Sequence, residues 1–376
     1  MMRVLLNASP SELKETSGDM SHLRDLIKLP PGPLQYATLN DNHRCLRNIR
    51  KIFWHLGRWW VPQSLRRVLF ASSQRTFVPS SMIPLVKAEV FHTHLSLPWN
   101  SGTLRRHYPM VFSSAGISPP EYYRYIGRGL YEDVVAFYQL VGRVVDVIIV
   151  WTYSCARRLK EVCPDMTATV HVVPPFYQLG PLDEDVVQKP NSMTRFLFIG
   201  KEPIRKGLLE TVEAFRQVAD KRTDVVLDVV SCDIPGALLE EIAKCPRIKL
   251  HNRLTPRAEC LQMMRESDVI VLPTHAETIG TVLVEGMARR CVAITCDYEP
   301  MNEVVPDGKV GFTVARGDSK ALAEKMCLLT QDRGLLERMQ ENARNKYLET
   351  YGVDVVVPKL IAAYQEAIER WKHSRN

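Results

Sequence analysis

Short apolar runs separated by polar or amphipathic stretches recur along the whole chain. In the first half the runs cover residues 3–7, 88–94, 110–114, 146–151 and 169–173. In the second half they cover residues 194–199, 225–230, 248–250, 269–272 and 292–295. Runs of this length, rich in Val and Ile, are typical of strands buried on both faces of a parallel sheet. Stretches of helical length lie between them, so the pattern predicts alternating strands and helices.

A polar, proline-bearing stretch divides this alternation into two halves. The segment 180–192, GPLDEDVVQKPNS, lacks the regular apolar spacing found on either side of it. Such segments are typical of interdomain linkers. The pattern therefore predicts two α/β domains, at residues 1–180 and 181–352, followed by an amphipathic helix within residues 353–376.

The composition is typical of a globular protein in a reducing compartment. Of 376 residues, 45% are apolar, yet no apolar stretch approaches the roughly 20 residues that span a bilayer. The nine cysteines include no C-x-x-C pair, which argues against both a disulfide framework and a zinc ribbon. We therefore expect a cytoplasmic location.

The positive charge is confined to the first half of the chain. Residues 1–180 carry 21 Lys/Arg and 12 Asp/Glu, a net charge of +9, whereas residues 181–376 carry 28 and 30, a net charge of −2. Between residues 42 and 88 there are nine basic residues and no acidic one. An anionic partner is expected for such a segment.

Helical spacing within this basic segment separates an apolar face from a basic one. Basic amphipathic helices lie on anionic membrane surfaces. The residues predicted to contact a membrane or an acceptor are Arg47, Arg50, Lys51, Trp59 and Trp60. An equal alternative is that the apolar face packs on the domain's own sheet and the charges are solvated. Nucleic acid is not expected as a partner, because the chain has no recognised binding module.

Two glutamates eight residues apart follow the apolar run 268–273. Glu277 precedes Gly280, which allows a close turn, and Glu285 lies on the helix predicted over residues 281–289. The start of a helix presents free N–H groups and a positive dipole end to a phosphate. A carboxylate on that helix accepts two hydrogen bonds from a vicinal diol such as ribose. About one such pair is expected by chance, but the surrounding strand, glycine and helix predict a nucleotide-sugar site.

A glycine-bearing basic loop opens the second domain. Gly200 is followed by Lys201, Arg205 and Lys206, which precede the helix predicted over residues 208–219. Three cations at the start of a helix neutralise a diphosphate while the loop amides donate to it. Alone, the loop is equally well explained by solvated surface charges. Together with the two glutamates, it predicts a donor site.

These segments resemble glycosyltransferase family 4, whose members are retaining sugar transferases of GT-B fold. The resemblance covers residues 196–351 and rests on Gly200, Lys201, the Lys206-Gly207 step and the segment from Glu277 to Glu285. It continues through residues 302–308, 311–312 and 317–318. Residues 17–19, after the first strand, and residues 172–175, at the end of the first domain, resemble the family more loosely.

The resemblance implies a GT-B fold, in which two Rossmann-like parallel-sheet domains face each other across a cleft and a C-terminal helix crosses back to the first. It implies a transfer of a sugar, with retention, from a nucleotide sugar to a hydroxyl of a glycan or lipid-linked acceptor, without a cofactor or metal ion. Glu277 would be a catalytic residue and would hold hydroxyls of the donor sugar. The implied donor-binding residues are Gly18, Lys201, Arg205, Lys206, Gly280, Thr281 and Glu285.

One histidine that the resemblance implies is absent. Family members carry a functional His after the strand that here covers residues 109–114, where this chain has Ala115. His92 and His94 end the preceding strand, at the carboxyl edge where α/β sheets place their ligands. His94 is the catalytic candidate in the first domain. The alternative is that His94 is a packed or capping histidine. A metal pair is not favoured, because no further ligands cluster nearby in the sequence.

The missing histidine leaves two other functions open. A donor-binding protein whose catalysis is lost or depends on a partner would keep the donor site and show no turnover of its own. A GT-B epimerase would act on the nucleotide sugar itself and would need no acceptor. Both alternatives use the same donor site and differ in what happens to the bound sugar.

Overall fold

The structure is a computed structural model of the chain. It describes residues 2–7, 34–38, 88–94, 101–120, 122–123, 131–175, 193–251 and 256–375. The chain divides into two compact units, Met1–Phe176 with Val353–Asn376, and Tyr177–Gly352. Gly18 and the predicted basic helix lie outside the described residues, so their assignments stay predictions, as do those of Arg47, Arg50, Lys51, Trp59 and Trp60.

The first unit contains a six-stranded parallel sheet in the order β2-β1-β3-β4-β5-β6. Its strands are β1 (Met2–Asn7), β2 (Leu34–Thr38), β3 (Val90–His94), β4 (Met110–Ser113), β5 (Val147–Val150) and β6 (Thr169–Val172). The helices that connect them in the described ranges are α1 (Ser101–Arg105), α2 (Tyr131–Val144) and α3 (Tyr153–Val162).

The second unit contains another six-stranded parallel sheet, in the order β12-β11-β10-β7-β8-β9. Its strands are β7 (Thr194–Gly200), β8 (Val225–Ser231), β9 (Ile248–His251), β10 (Val269–Leu272), β11 (Val292–Cys296) and β12 (Gly311–Val314). Its helices are α4 (Leu208–Ala219), α5 (Gly236–Ala243), α6 (Arg257–Glu266), α7 (Thr281–Met287), α8 (Met301–Val304), α9 (Ser319–Gln331) and α10 (Arg333–Tyr351).

Apolar side chains cover both faces of the first sheet, as expected for a parallel sheet buried on both sides. On one face, Phe91 and Phe112 pack with residues of α2 and α3. On the other face, Val111 packs with Leu360 and Tyr364 of α11 (Val353–His373), the last helix. Among the helices of the ranges given above, none has the length and apolar character that crossing a bilayer would need.

All ten strands that the apolar pattern predicts are present, with ends that differ by at most two residues. The predicted helix over residues 208–219 is α4, whereas the helix predicted over residues 281–289 ends at Met287. The pattern does not predict β2 or β12. β12 has the sequence Gly-Phe-Thr-Val, so only two of its four residues have apolar side chains, and no apolar run indicates a strand there.

Each sheet has one switch point, where the chain changes the side on which it adds strands. In the first sheet β1 lies between β2 and β3, and in the second β7 lies between β8 and β10. Ligands of open α/β sheets bind outside the carboxyl ends of the strands at such a point. The ends of β3, β7 and β10 are therefore where a site is expected.

Candidate functional site

Two loops lie next to each other at the switch point of the second sheet. The β7 loop, residues 201–207, follows β7, and the β10 loop, residues 273–280, follows β10. The two strands pair in parallel, with Val269 opposite Phe196 and Ile270 opposite Leu197. Their carboxyl ends therefore deliver both loops to the same edge of the sheet.

Arg205 joins the two loops through its backbone and its side chain. Its carbonyl oxygen accepts hydrogen bonds from the His275 backbone N–H, at 2.8 Å, and from Thr274 Oγ1, at 3.2 Å. Its Nη1 donates to the carbonyl oxygen of Ala276. These hydrogen bonds link the β7 loop to the β10 loop and satisfy backbone polar groups on both.

Gly207 permits the close approach of the two loops. It has a φ of +82°, and a Cβ placed on it would lie 2.2 Å from the carbonyl oxygen of Pro273. A left-handed backbone strains any residue with a Cβ, and here the Cβ would also displace the β10 loop. The turn is closed by the Leu208 N–H, which donates to the Pro203 carbonyl at 2.8 Å. A glycine is therefore required at this position.

Two of the three predicted donor-site cations, Arg205 and Lys206, lie beside the first predicted glutamate. Lys206 Nζ forms an ion pair with Glu277 Oε2, and Arg205 Nη1 lies 3.7 Å from the same oxygen. The other oxygen, Oε1, accepts from the Thr278 backbone N–H at 3.1 Å. The Lys206 and Glu277 side chains are 17% and 12% exposed, and shielding from water strengthens such charge interactions. Two cations thus share one carboxylate here.

The start of the β7 loop is exposed. Lys201 lies there, and its carbonyl oxygen accepts from the Cys232 thiol at 3.0 Å. Glu202 follows, and its Oε2 accepts from Arg205 Nε at 2.8 Å. The structure therefore brings Arg205, Lys206 and Glu277 together, and Lys201 is exposed at the start of the same loop.

Glu285 has a cation partner of its own. It lies on α7, which follows Gly280, a residue with a φ of +61°, and begins at Thr281. Glu285 is 4% exposed, and its Oε1 accepts a hydrogen bond from Arg257 Nη2 at 2.6 Å. Arg257 is the first residue of α6, 28 positions earlier. Sequence spacing does not predict this pair, because the two helices meet only through the fold.

A second polar pair supports the β10 loop from α4. His275 Nε2 lies 2.8 Å from Glu210 Oε1, and the two side chains are 21% and 12% exposed. Sequence spacing does not predict this pair either, since 65 residues separate its members. The contact anchors the loop two positions before Glu277, so it limits how far that carboxylate can move.

The strand beside β10 ends in groups that stay neutral. Burial raises the pKa of the Cys296 thiol, at the end of β11, to about 12. Burial also raises the pKa of Tyr298, whose ring lies 3.8 Å from the guanidinium carbon of Arg316. The thiolate is the nucleophilic form of cysteine. Cys296 is therefore no candidate for a nucleophile.

His94 ends β3 at the carboxyl edge of the first sheet. It is 1% exposed, so it lies beneath the surface of that edge. Its Nδ1 lies 2.7 Å from Ser113 Oγ, and its ring stacks on Trp151 with 6.1 Å between the centroids. Ala115, just beyond β4, is also buried. These contacts fit the packing alternative for His94, and its contact with a substrate stays a prediction.

The H-x-H pair converges on a hydroxyl group. His92 Nε2 and His94 Nδ1 each lie 2.7 Å from Ser113 Oγ. In the part of the chain that the structure describes, no three His, Cys, Asp or Glu side chains are grouped as a metal site requires. The two histidines are thus engaged in hydrogen bonding with the serine between them.

Comparison with known proteins identifies the domain that carries the two loops. Residues 182–346 match the family described as Glycosyl transferases group 1. The capsular polysaccharide biosynthesis glycosyltransferase CapM of Staphylococcus aureus is 26% identical over 172 residues, 44% of this chain and 44% of that protein. A phosphatidyl-myo-inositol mannosyltransferase of Mycobacterium leprae is 27% identical over 217 residues, 50% of this chain and 56% of that protein. The chain thus matches about half the length of these relatives.

The fold extends beyond that domain. Sucrose-phosphate synthase from Thermosynechococcus elongatus superposes with a TM-score of 0.65 at 15% identity, over 98% of this chain and 100% of that chain. At this identity the likeness shows the fold alone. Together with the two parallel sheets, it confirms the predicted GT-B fold class.

Proposed function

We propose that this chain, whose residues 182–346 form a Glycosyl transferases group 1 domain, transfers a sugar from a nucleotide-sugar donor to an acceptor hydroxyl. The observation that carries the proposal is the convergence of Arg205, Lys206 and Glu277 at the switch point of the second sheet. A nucleotide sugar presents a diphosphate beside a hydroxyl-rich ring. The site presents cations beside a carboxylate, which is the complementary arrangement.

The cations of the β7 loop bind the diphosphate. Lys206 and Arg205 neutralise it from the shielded side, and Lys201 from the exposed start of the loop. The backbone amides of Gly280 and Thr281 face the phosphate or the sugar. A diphosphate takes over the contact that Lys206 makes with Glu277, because charge-assisted hydrogen bonds to phosphate are strong. That exchange leaves the carboxylate to the sugar.

The two glutamates bind different parts of the donor. Glu277 accepts hydrogen bonds from hydroxyls of the transferred sugar, and Glu285 accepts them from the ribose. The hydrogen bond from Arg257 holds the Glu285 carboxylate in one orientation. Separate cation partners for the two carboxylates support this division of roles.

The reaction proceeds with retention and without a metal ion. Negative charge develops on the leaving nucleotide as the glycosidic bond breaks, and preorganised cations stabilise that charge. The acceptor hydroxyl attacks from the face that the nucleotide leaves, so the anomeric configuration is kept. Lys206 and Arg205 supply the positive charge. The resemblance to a retaining family supports both points.

The acceptor is a glycan or a lipid-linked molecule, and His94 is assigned to the acceptor side. The basic segment of residues 42–88 would hold the protein on an anionic membrane surface facing the cytoplasm. A relative named as a mannosyltransferase of phosphatidyl-myo-inositol supports a lipid acceptor. The net charge of +9 in residues 1–180 supports an anionic partner for this half of the chain.

The proposal is tested by incubating the purified chain with UDP-, GDP- and ADP-sugars, each with and without a lipid extract. Turnover that requires the extract, with a product of unchanged anomeric configuration by proton NMR, is the expected result. An altered sugar formed without an acceptor would identify an epimerase. Donor binding without turnover under every condition would identify a binding protein. Inversion at the anomeric carbon would contradict the proposed mechanism.

Removal of divalent cations is expected to leave the activity unchanged. Because Lys206 and Arg205 neutralise the diphosphate, the rate in excess EDTA should stay within about twofold of the rate with Mg²⁺. The measurement is kcat with the preferred donor after dialysis against EDTA. A tenfold loss of kcat that is reversed by added Mg²⁺ would show that a metal ion helps Lys206 and Arg205 to neutralise the diphosphate.

Arg257→Ala is expected to weaken nucleotide binding about tenfold, because the buried Glu285 carboxylate loses the charge-assisted bond that orients it. Calorimetric titration with the nucleoside diphosphate measures the change in Kd. Arg265→Ala is the matched control, since Arg265 lies on the same helix and donates to Gln262 at 3.0 Å. Equal Kd values for the two variants would show that Arg257 does not contribute to nucleotide binding.

A further inference from the structure

Four buried side chains form one chain of hydrogen bonds at the carboxyl ends of β3 and β4. Tyr364 Oη lies 2.7 Å from His92 Nδ1, and His92 Nε2 lies 2.7 Å from Ser113 Oγ. The same Ser113 Oγ lies 2.7 Å from His94 Nδ1. All four residues are at most 3% exposed, and hydrogen bonds in such surroundings polarise one another. This series of hydrogen bonds connects Tyr364 of helix α11 to His94 at the carboxyl end of β3.

Ser113 couples the two imidazoles because its hydroxyl carries a single proton. A neutral imidazole donates from one nitrogen and accepts at the other. If His92 donates to Ser113, then Ser113 donates to His94, and the proton of His94 lies on Nε2. If Ser113 donates to His92, then His94 donates to Ser113 from Nδ1. Ser113 has two lone pairs and could also accept from both rings, but its own buried hydrogen would then lose both nitrogens as acceptors, which is costly. The two directions above avoid that loss, and in them the tautomers of the two rings change together.

Tyr364 determines in which direction the hydrogen bonds of this series are donated. A phenol has a pKa near 10 and is a far better donor than a neutral imidazole N–H, so Tyr364 donates to His92 Nδ1. We infer that Tyr364, His92 and Ser113 are positioning residues that fix the proton of His94 on Nε2. His94 then serves the reaction as an N–H donor and not as a base. That role rests on the proposed function, whereas the tautomer does not.

The tautomer is read from long-range proton–nitrogen NMR spectra of the full chain labelled with ¹⁵N-histidine. These spectra separate protonated from unprotonated ring nitrogens. The chain has ten histidines, so His92→Gln and His94→Gln variants assign the two signals. We expect both rings to carry their proton on Nε2. A His94 ring protonated on Nδ1 would overturn the inference.

The coupling is tested by a double-mutant cycle on the same signals. Tyr364→Phe keeps the ring in the core and removes the donor, and it is expected to shift the ring nitrogens of His94 as well as those of His92. In the Ser113→Ala background, Tyr364→Phe should no longer affect His94. An unchanged His94 spectrum in Tyr364→Phe alone, or an equal shift in both backgrounds, would show that no coupling passes through Ser113.

Ser114→Ala is the matched control for the serine. Ser114 is the next residue, is equally buried, and bonds Tyr138 Oη at 2.7 Å in place of a histidine. It should leave both histidine signals unchanged. For the reaction, Ser113→Ala is expected to lower kcat about fivefold to tenfold at constant donor KM. An unchanged kcat in a protein that turns over would reject the role of His94, and absent turnover in the unsubstituted protein would reject the proposed function.

Discussion

Glu277→Gln is expected to lower kcat/KM with the preferred nucleotide sugar by about 10²–10³-fold. The substitution removes a charged acceptor that the sugar hydroxyls require and leaves a neutral amide beside Lys206 and Arg205. Binding of the nucleoside diphosphate alone should be unchanged or tighter, because the carboxylate no longer competes for Lys206. Steady-state kinetics and calorimetry on the same variant measure these opposite effects.

Glu202→Gln is the matched control for this result. Glu202 also pairs with Arg205, but its side chain is 56% exposed. Exposed ion pairs contribute little, so kcat/KM should stay within about threefold of the unsubstituted value. If Glu277→Gln retained activity at the level of this control, Glu277 would have no part in binding the sugar.

Gly207→Ala is expected to lower the free energy of unfolding by about 2–5 kcal/mol and to abolish donor binding. A Cβ in the left-handed region costs about 1–2 kcal/mol, and overpacking against backbone adds about 1–3 kcal/mol. The Pro273 carbonyl, 2.2 Å from the new Cβ, must move and take the β10 loop with it. Urea unfolding followed by circular dichroism measures the loss.

Gly317→Ala separates the two causes. Gly317 has a similar φ of +77°, but nothing lies within 4 Å of the Cβ position. It should therefore show only the backbone cost of about 1–2 kcal/mol and full donor binding. Equal losses in the two alanine variants would mean that the contact between the loops contributes nothing to stability or to the site.

Ten of the twelve strands in the described residues could be predicted from the sequence, and candidate donor-side residues could be proposed, because the signals for both are local. A run such as Val269–Leu272 is recognisable as a strand from its composition alone. The cations from Lys201 to Lys206 lie within one loop. The same is true of Glu277 and Glu285, because the strand Val269–Leu272, Gly280 and the helix that begins at Thr281 lie close together in the sequence. Each of these patterns is shorter than 20 residues, so no knowledge of the packing is needed.

The partners of these residues could not be predicted, because each comes from a distant part of the chain. Arg257 reaches Glu285 across 28 residues, and Glu210 reaches His275 across 65. Tyr364 reaches His92 across 272 residues. Only the packing of helices on the sheets makes these contacts. A single sequence thus indicates candidate site residues more readily than it indicates the residues that contact them.

The position of α11 bears on the order in which the chain folds during synthesis. Leu360 and Tyr364 cover a face of the first sheet, yet the ribosome makes them after the whole of Tyr177–Gly352. That face stays uncovered while the second unit emerges as one contiguous segment that contains its own sheet. Domains usually mature in the order of their synthesis. Here the unit that begins first is expected to finish last.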